Sequence, residues 1–221
     1  WGCQRSPDRT AWLVKPPVPK GTDLEEVFHH NNLGVAHLER HHYQDAAKEF
    51  EKVVGWLPGW AEAHVNLGVA RSALHDAAGA RAEFRKALEI SPEHPYAHYG
   101  LGLIAKQEGK SDEALAEFQR VLKVDAADPD TQYNLGLLYA RDGKHAEAVA
   151  ALKKALEVQP ANVSARFRLA SSLLALGRKE EGEQEMARFK EMNATGAGIT
   201  MGLQYSEQGK YAFALTDYRA F

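Results

Sequence analysis

Apolar positions along this chain recur at three-, four- and seven-residue spacings, the period of a helix with one buried face. They come in pairs of helical segments. The stretch PDTQYNLGLLYARDGKHAEAVAALKKALEVQPAN, from Pro129 to Asn162, shows the unit. Its first segment carries Leu135, Gly136 and Tyr139, and its second carries Ala148, Leu152 and Ala155. Gly143-Lys144 separates them and Pro160 closes the unit. Two such helices leave an apolar face uncovered, so the unit predicts neighbours of its own kind. They stand at steps of 34 residues: Leu33-Gly34, Leu67-Gly68, Leu101-Gly102, Leu135-Gly136 and Leu169-Ala170, then Met201-Gly202 after a shorter step. In the second segments a small residue recurs as Ala46, Ala80, Ala114, Ala148, Gly182 and Ala214. Four positions later a large one recurs as Phe50, Phe84, Phe118, Leu152, Met186 and Tyr218.

With Pro58, Pro92 and Pro160 closing three of the units, this period and its Leu-Gly, Tyr, Ala, Phe, Pro pattern resemble the tetratricopeptide (TPR) repeat family. The resemblance implies an all-α fold, a right-handed α-solenoid of six helix-turn-helix repeats, each packed on its neighbours. The repeats start near Val27, Ala61, Pro95, Pro129, Val163 and Thr195, and the last stops inside its second helix at Phe221. Residues 24–221 form this array. Residues 1–23, with Pro7, Pro16, Pro17 and Pro19, lack helical period and are expected to be a tether, or a strap against the first repeat.

Local chemistry fits the repeat. Glycine inside a helix costs about 1 kcal/mol against alanine, so Gly34, Gly68, Gly102 and Gly136 predict a close helix crossing. Gly109, Gly143, Gly177 and Gly209 fall in the turn, where a left-handed residue ends a helix. His41 and His75 hold that same turn position, and histidine is among the residues that tolerate positive φ. Asp128 before Pro129 reads as an N-cap and a first helical residue. The fifth repeat departs from the pattern at Ala170, Gly182 and Phe189, and with Asn193 to Gly198 following it, looser packing toward the sixth is expected.

Composition narrows the function. The net charge is -3, which gives no electrostatic footprint for nucleic acid. No apolar run approaches the roughly eighteen residues of a membrane span. A single cysteine rules out an intrachain disulfide framework. The chain begins at Trp1 and stops mid-helix, as expected of a piece of something longer. Gly2-Cys3 followed by Gln4-Arg5-Ser6-Pro7 resembles the end of a bacterial lipoprotein signal. That implies a lipid anchor on Cys3 and an exported, periplasmic or outer-membrane-associated bacterial protein. A cytoplasmic protein with an incidental cysteine is the alternative.

Ten histidines raise the question of metal. His37 and His41 are four apart, as are His94 and His98, a spacing that can align two imidazoles on a helix. His41 lies in a turn, however, and His94 precedes the helix that begins at Pro95. His30, His64 and His98 share one repeat position and are expected to pack between helices. Gly109-Lys110-Ser111 has Ile104 where a phosphate-binding loop needs glycine, and aligns with the other turns. No metal, cofactor or catalytic group is therefore expected.

The family resemblance implies a concave groove lined by set first-helix positions. Repeat one places Phe28, Asn31 and Val35 there, repeat two Val65 and Val69, and repeat three Tyr96, Tyr99, Leu103 and Lys106. Tyr133, Leu137 and Arg141 follow in the fourth repeat and Phe167 in the fifth. Tyr96, Tyr99 and Tyr133 should supply large contact area at small entropy cost, as binding hot spots do. Packing under the proline-rich segment or against adjacent helices is the alternative for these rings. Asn66, Asn134 and Arg168 match part of the carboxylate clamp of chaperone-binding relatives. The lysine positions hold residues such as Asn31, Val65, Tyr96, Tyr99 and Asp130, so that clamp is not expected.

The first reading is a non-enzymatic scaffold that binds a partner peptide or helix in this groove. The second is a structural spacer of a larger exported protein, its groove filled by its own chain. A histidine-based metal enzyme ranks last. If Cys3 carries a lipid, the full-length protein made in a bacterium will fractionate with membranes and Cys3→Ser will release it. Mass spectrometry of the mature protein showing an unmodified Cys3 would end the idea.

Overall fold

The computed structural model describes residues 12–198, 200 and 209–216. Ten α-helices follow in order: α1 Leu24–Glu39, α2 Tyr43–Trp56, α3 Ala61–Ala73, α4 Ala77–Ile90, α5 Pro95–Gln107, α6 Ser111–Val124, α7 Pro129–Arg141, α8 His145–Val158, α9 Val163–Ala175 and α10 Lys179–Thr195. The chain forms two compact units, Trp1–Ile104 with Tyr211–Phe221, and Ala105–Lys210. In the first, α1 pairs with α2, α3 with α4, and α2 packs on α3. In the second, α7 pairs with α8 and α9 with α10, while α6–α7 and α8–α9 join successive pairs. No helix among the described residues is long and apolar enough to cross a membrane.

The mid-helix glycines mark where a large side chain from the paired helix enters. A Cβ on Gly34 would fall 2.6 Å from the Phe50 ring, and one on Gly68 would fall 2.7 Å from Phe84. The same Phe84 ring reaches Gly100 of the next repeat, where a Cβ would lie 2.4 Å away. In the second unit Leu152 takes the corresponding place against Gly136, at 2.6 Å. Phe50, Phe84 and Leu152 are all shielded from solvent. The helix-propensity cost of each glycine is thus offset by burial of a whole ring or isobutyl group, about 1.5–3 kcal/mol.

The ends of the helices follow their local chemistry. Asp23, Asp76, Asp128 and Asn162 each accept a first-turn backbone N–H as N-caps. His41 and His75 have φ of 61° and 62°, beside 76°, 74° and 75° at Gly109, Gly143 and Gly177. Histidine and glycine therefore do one job in these turns.

The repeat position of His30, His64 and His98 serves packing of a specific kind. His64 Nε2 donates to the Pro58 carbonyl at 3.0 Å and His98 Nε2 to that of Pro92 at 2.9 Å. In the second unit Gln132 donates to Ala126 O at 3.3 Å, and Arg166 to Pro160 O at 2.8 Å. The other side of the residue reaches a second-helix carboxylate: His30 bonds Glu49, His64 bonds Glu83 at 2.7 Å, and Arg166 bonds Glu185 at 2.6 Å. Burial pushes the Glu83 carboxyl up, but bonds from His64 and Lys86 outweigh it and hold the group below its usual range. One side chain thus ties the preceding loop, its own helix and the paired helix together.

The proline-rich segment meets the end of the first repeat at Gly59 and also reaches beyond it, to the loop before α5. Ser91 Oγ donates to the Trp12 carbonyl at 2.6 Å, and the Trp12 ring lies 4.5 Å from His94 and 5.9 Å from Tyr96. Pro17 fills the space at Gly59, where a Cβ would fall 2.8 Å from its ring. The strap thus runs over the loops before α3 and α5, and the Thr22 N–H to Pro19 O turn with Gly21 at φ 87° turns it into α1. The expectation corrected is the sixth repeat. Helix α10 continues through Thr195, where that repeat was to begin, and Gly196 ends it in the left-handed conformation. Residues 210–212 form a short 3-10 turn and Ala214 is not helical, so no helix follows α10 among the described residues. Met201-Gly202 and Tyr218 lie outside the described residues, as does the expected loose packing toward them. Phe189 meets Phe167, with ring centroids 5.3 Å apart.

Because Phe84 sits between two glycines, Gly100→Ala is expected to destabilise the first unit by about 1–3 kcal/mol through overpacking. Phe84→Leu in the same chain should recover part of that loss. Urea unfolding of the two single variants and the double variant measures the coupling, and strictly additive losses would contradict the contact.

Candidate functional site

The first helices of the repeats in the first unit present one face to a segment of the chain's own C-terminal region. Asn66, on α3, holds Leu215 at both polar ends of its backbone: Oδ1 accepts the Leu215 N–H at 2.6 Å, and Nδ2 donates to the Leu215 carbonyl at 2.9 Å. Asn31, on α1, donates to the same carbonyl at 2.9 Å and accepts from Asn66 Nδ2 at 2.8 Å. Both asparagines are fully buried. The side-chain amide thus pairs with the two backbone polar groups of one residue and reads backbone rather than side chain. The segment's side chains are also received. Tyr211 lies 4.9 Å from Tyr96, edge-on, and 6.1 Å from Tyr99, and Tyr211, Ala212 and Leu215 are all buried.

This cover explains the burial of α3. Every residue from Ala61 to Ala70 is buried, although a two-layer array shields only one side of a first helix. Val65 and Val69 are buried with the rest, and Tyr99 is fully enclosed. Tyr96 is half-buried between Trp12 of the strap and Tyr211. The groove positions therefore divide. Asn31, Tyr96 and Tyr99 meet the segment. Phe28 packs edge-on to Trp60, at 6.2 Å, and so belongs to the core around Val27, Val53 and Leu57. Val35 and Leu103 are half-buried.

In the second unit the expected residues have other duties. Lys106 donates to Asn134 Oδ1 at 2.5 Å, and Asn134 in turn donates to the Asp130 carbonyl at 2.9 Å. Burial, with the Arg141 charge nearby, brings the Lys106 ammonium down to about 8. Arg141 itself donates to Ser111 Oγ at 2.5 Å and is exposed. Burial raises the Tyr133 hydroxyl, which bonds Ser164 and Arg168. Leu137 packs on the core around Leu152, Leu169 and Leu173. Phe167 is exposed on one side, with Phe189 on the other. Lys210 pairs with Asp125 and lies 3.3 Å from Asp128, while its backbone N–H reaches Asp130 at 3.4 Å. Burial and the Asp128 carboxylate raise Asp130, and Lys210 acts against them.

The histidines do not assemble as the spacing suggested. His41 bonds the Tyr43 hydroxyl at 2.8 Å. His37 instead approaches His42 and Asp45, with ligand atoms within 4.8 Å of one another. His42 and Asp45 are exposed, and Asp45 bonds Lys48 at 3.1 Å, a contact a metal ion would have to displace. Cys3 lies outside the described residues.

Asn66 is what the groove positions missed. The signal was an asparagine one residue before the repeated Leu-Gly, shared with Asn32 and Asn134. A buried amide there needs a partner. Sequence periodicity does not name the partner.

A profile of the tetratricopeptide repeat matches residues 31–95, 65–132, 99–155 and 133–197, most of the chain. The chain belongs to the TPR family. A search of curated proteins by sequence gives no match. Among solved structures the chain is similar to MamA from Desulfovibrio magneticus RS-1, residues 41 to the end, at 20% identity and TM-score 0.69, covering 77% of this chain and 97% of that one. A MamA RS-1 double mutant gives 20% identity and TM-score 0.70 over 78% and 97% of the two chains. Another MamA crystal structure gives 20% and 0.67 over 79% and 96%. At this identity the likeness is one of fold. TPR proteins are in general interaction scaffolds, and this array has the same build.

His94 is expected to make the strap acid-sensitive. It is fully buried beneath Trp12, neither ring nitrogen has a hydrogen-bond partner, and burial with His98 nearby lowers it from 6.5 to about 3. Above pH 6.5 the ring is neutral whether folded or unfolded. Between 6.5 and 3 only the unfolded chain takes up the proton, so stability falls as pH falls through that window. The loss between pH 6.5 and 4.5 should be roughly 2–3 kcal/mol. Denaturant unfolding at the two values, repeated with His94→Phe, tests it: the variant should show a flatter profile, and an unchanged slope would clear His94 of the effect.

Proposed function

We propose that this TPR array is a non-enzymatic scaffold that holds an extended peptide segment of a partner protein on the face of α1, α3 and α5. The observation that supports the reading is the Asn66 amide, bonded to both the backbone N–H and the carbonyl of one residue, Leu215. Such a bond pair suits any extended backbone, and the tyrosines beside it select an aromatic or large apolar side chain. The burial of Asn31 and Asn66 favours a strand over a helix as the occupant, because a helix consumes its own N–H and carbonyl groups and has none to offer. A spacer within a larger exported protein is the second reading, favoured by the chain's own segment on that face. An anchor at Cys3 is compatible with both.

Selection of a random peptide library on the folded chain tests the scaffold reading. Enriched peptides should lose at least tenfold in affinity to Asn66→Ala and to Tyr99→Ala, each about 1.4 kcal/mol or more, as hot-spot truncations do. Circular dichroism establishes that the variants remain folded. Binders indifferent to both changes would remove this face as the binding surface and leave the spacer.

A further inference from the structure

The groove in the first unit already has an occupant, and the occupant is specific. We propose that Tyr211–Leu215 is a built-in competitor: it fills the site in the resting chain, and the partner that displaces it is a peptide carrying an aromatic residue four positions before a leucine whose backbone N–H and carbonyl are open to pairing. This rests on the scaffold reading and adds to it the state of the free protein and the chemistry of the ligand.

Three observations carry it. Leu215 is held through its backbone by Asn66 and Asn31, at 2.6 Å and 2.9 Å, in the manner of a bound ligand rather than of a packed loop. Tyr211, Ala212 and Leu215 are buried, whereas Phe213 among them is 37% exposed. The ring at 211 and the leucine at 215, four residues apart, are therefore the segment's more deeply seated large side chains. The segment also departs from its own repeat pattern. Ala214 stands at the repeated second-helix position, yet the backbone from 213 to 216 is not helical. Groove contacts have overridden the local helical periodicity, as tertiary contacts do when they satisfy more backbone and apolar surface than a short isolated helix can.

Tethering gives the competitor its strength. A covalently attached segment acts at an effective concentration in the millimolar range, and a ligand meets only the fraction of molecules whose site is free. Weak contacts in the tethered segment are enough to raise the apparent dissociation constant of a free peptide many-fold. A partner with several anchoring residues would overcome them.

The test uses the whole chain and a labelled synthetic peptide, GKYAFALT, identical to residues 209–216. Binding is measured by fluorescence anisotropy to the intact chain and to the double variant Tyr211→Ser, Leu215→Ser, which leaves Asn31, Asn66, Tyr96 and Tyr99 untouched. The double variant should bind the peptide at least tenfold more tightly than the intact chain. A peptide with proline in place of the leucine lacks the N–H that Asn66 accepts and should bind the double variant at least tenfold more weakly, with no change to the protein. Equal binding to both chains, sensitive to the proline, would overturn the competitor while leaving the scaffold reading intact. Binding that ignores the proline would overturn both.

Discussion

The packing of one large side chain against a bare stretch of helix backbone is the constraint on which this protein depends. Phe50 against Gly34, Phe84 against Gly68 and Gly100, and Leu152 against Gly136 bring the axes of paired helices close enough to exclude water. Phe84 shows why the device propagates. Its ring touches glycines of two successive repeats, so it joins a pair internally and also joins that pair to the next. A methyl group on either glycine would push against a ring that has no free space to enter. Stability in such an array is a sum of local interfaces, and this contact recurs in them.

A second, polar layer is built on that spacing. Once the helices are close, the side chain at His64, Gln132 or Arg166 reaches backward to a loop carbonyl, and His64 and Arg166 also reach across to a glutamate of the paired helix. Residue identity changes from repeat to repeat, but the geometry does not. Histidine, glutamine and arginine share the ability to donate in the direction of the carbonyl. The abundance of histidine in the first unit is therefore largely structural, with His41 and His75 in turns, His64 in this layer and His94 beneath the strap.

The same spacing leaves one side of the first helices uncovered by the repeats themselves. In the first unit that side carries two buried amides and two tyrosines, a combination costly to bury against bare hydrocarbon and poorly matched by bulk water alone. A non-helical segment answers it, because its backbone N–H and carbonyl groups are open to pairing with the amides. The aromatic chain Trp12, His94, Tyr96 and Tyr211 then links the strap and this segment at one end of α5.

The helix pairs, their turns and their glycine crossings were legible from residue spacing alone. These features are decided within some thirty residues, where periodicity, caps and positive-φ turns act. His41 and His75 read as turn residues for that reason, and Asp128 as a cap. The tertiary structure decided what covers the free faces. Asn31 and Leu215 are 184 positions apart, and no local pattern records that separation. A helical period in residues 211–215 and a groove that pairs with the open backbone of Leu215 made competing demands on the same backbone. Asn66 settled the outcome by offering that backbone a donor and an acceptor at once. The strap followed the same logic, since proline content predicted extended chain, but only Ser91, His94 and Gly59 decided where it lies.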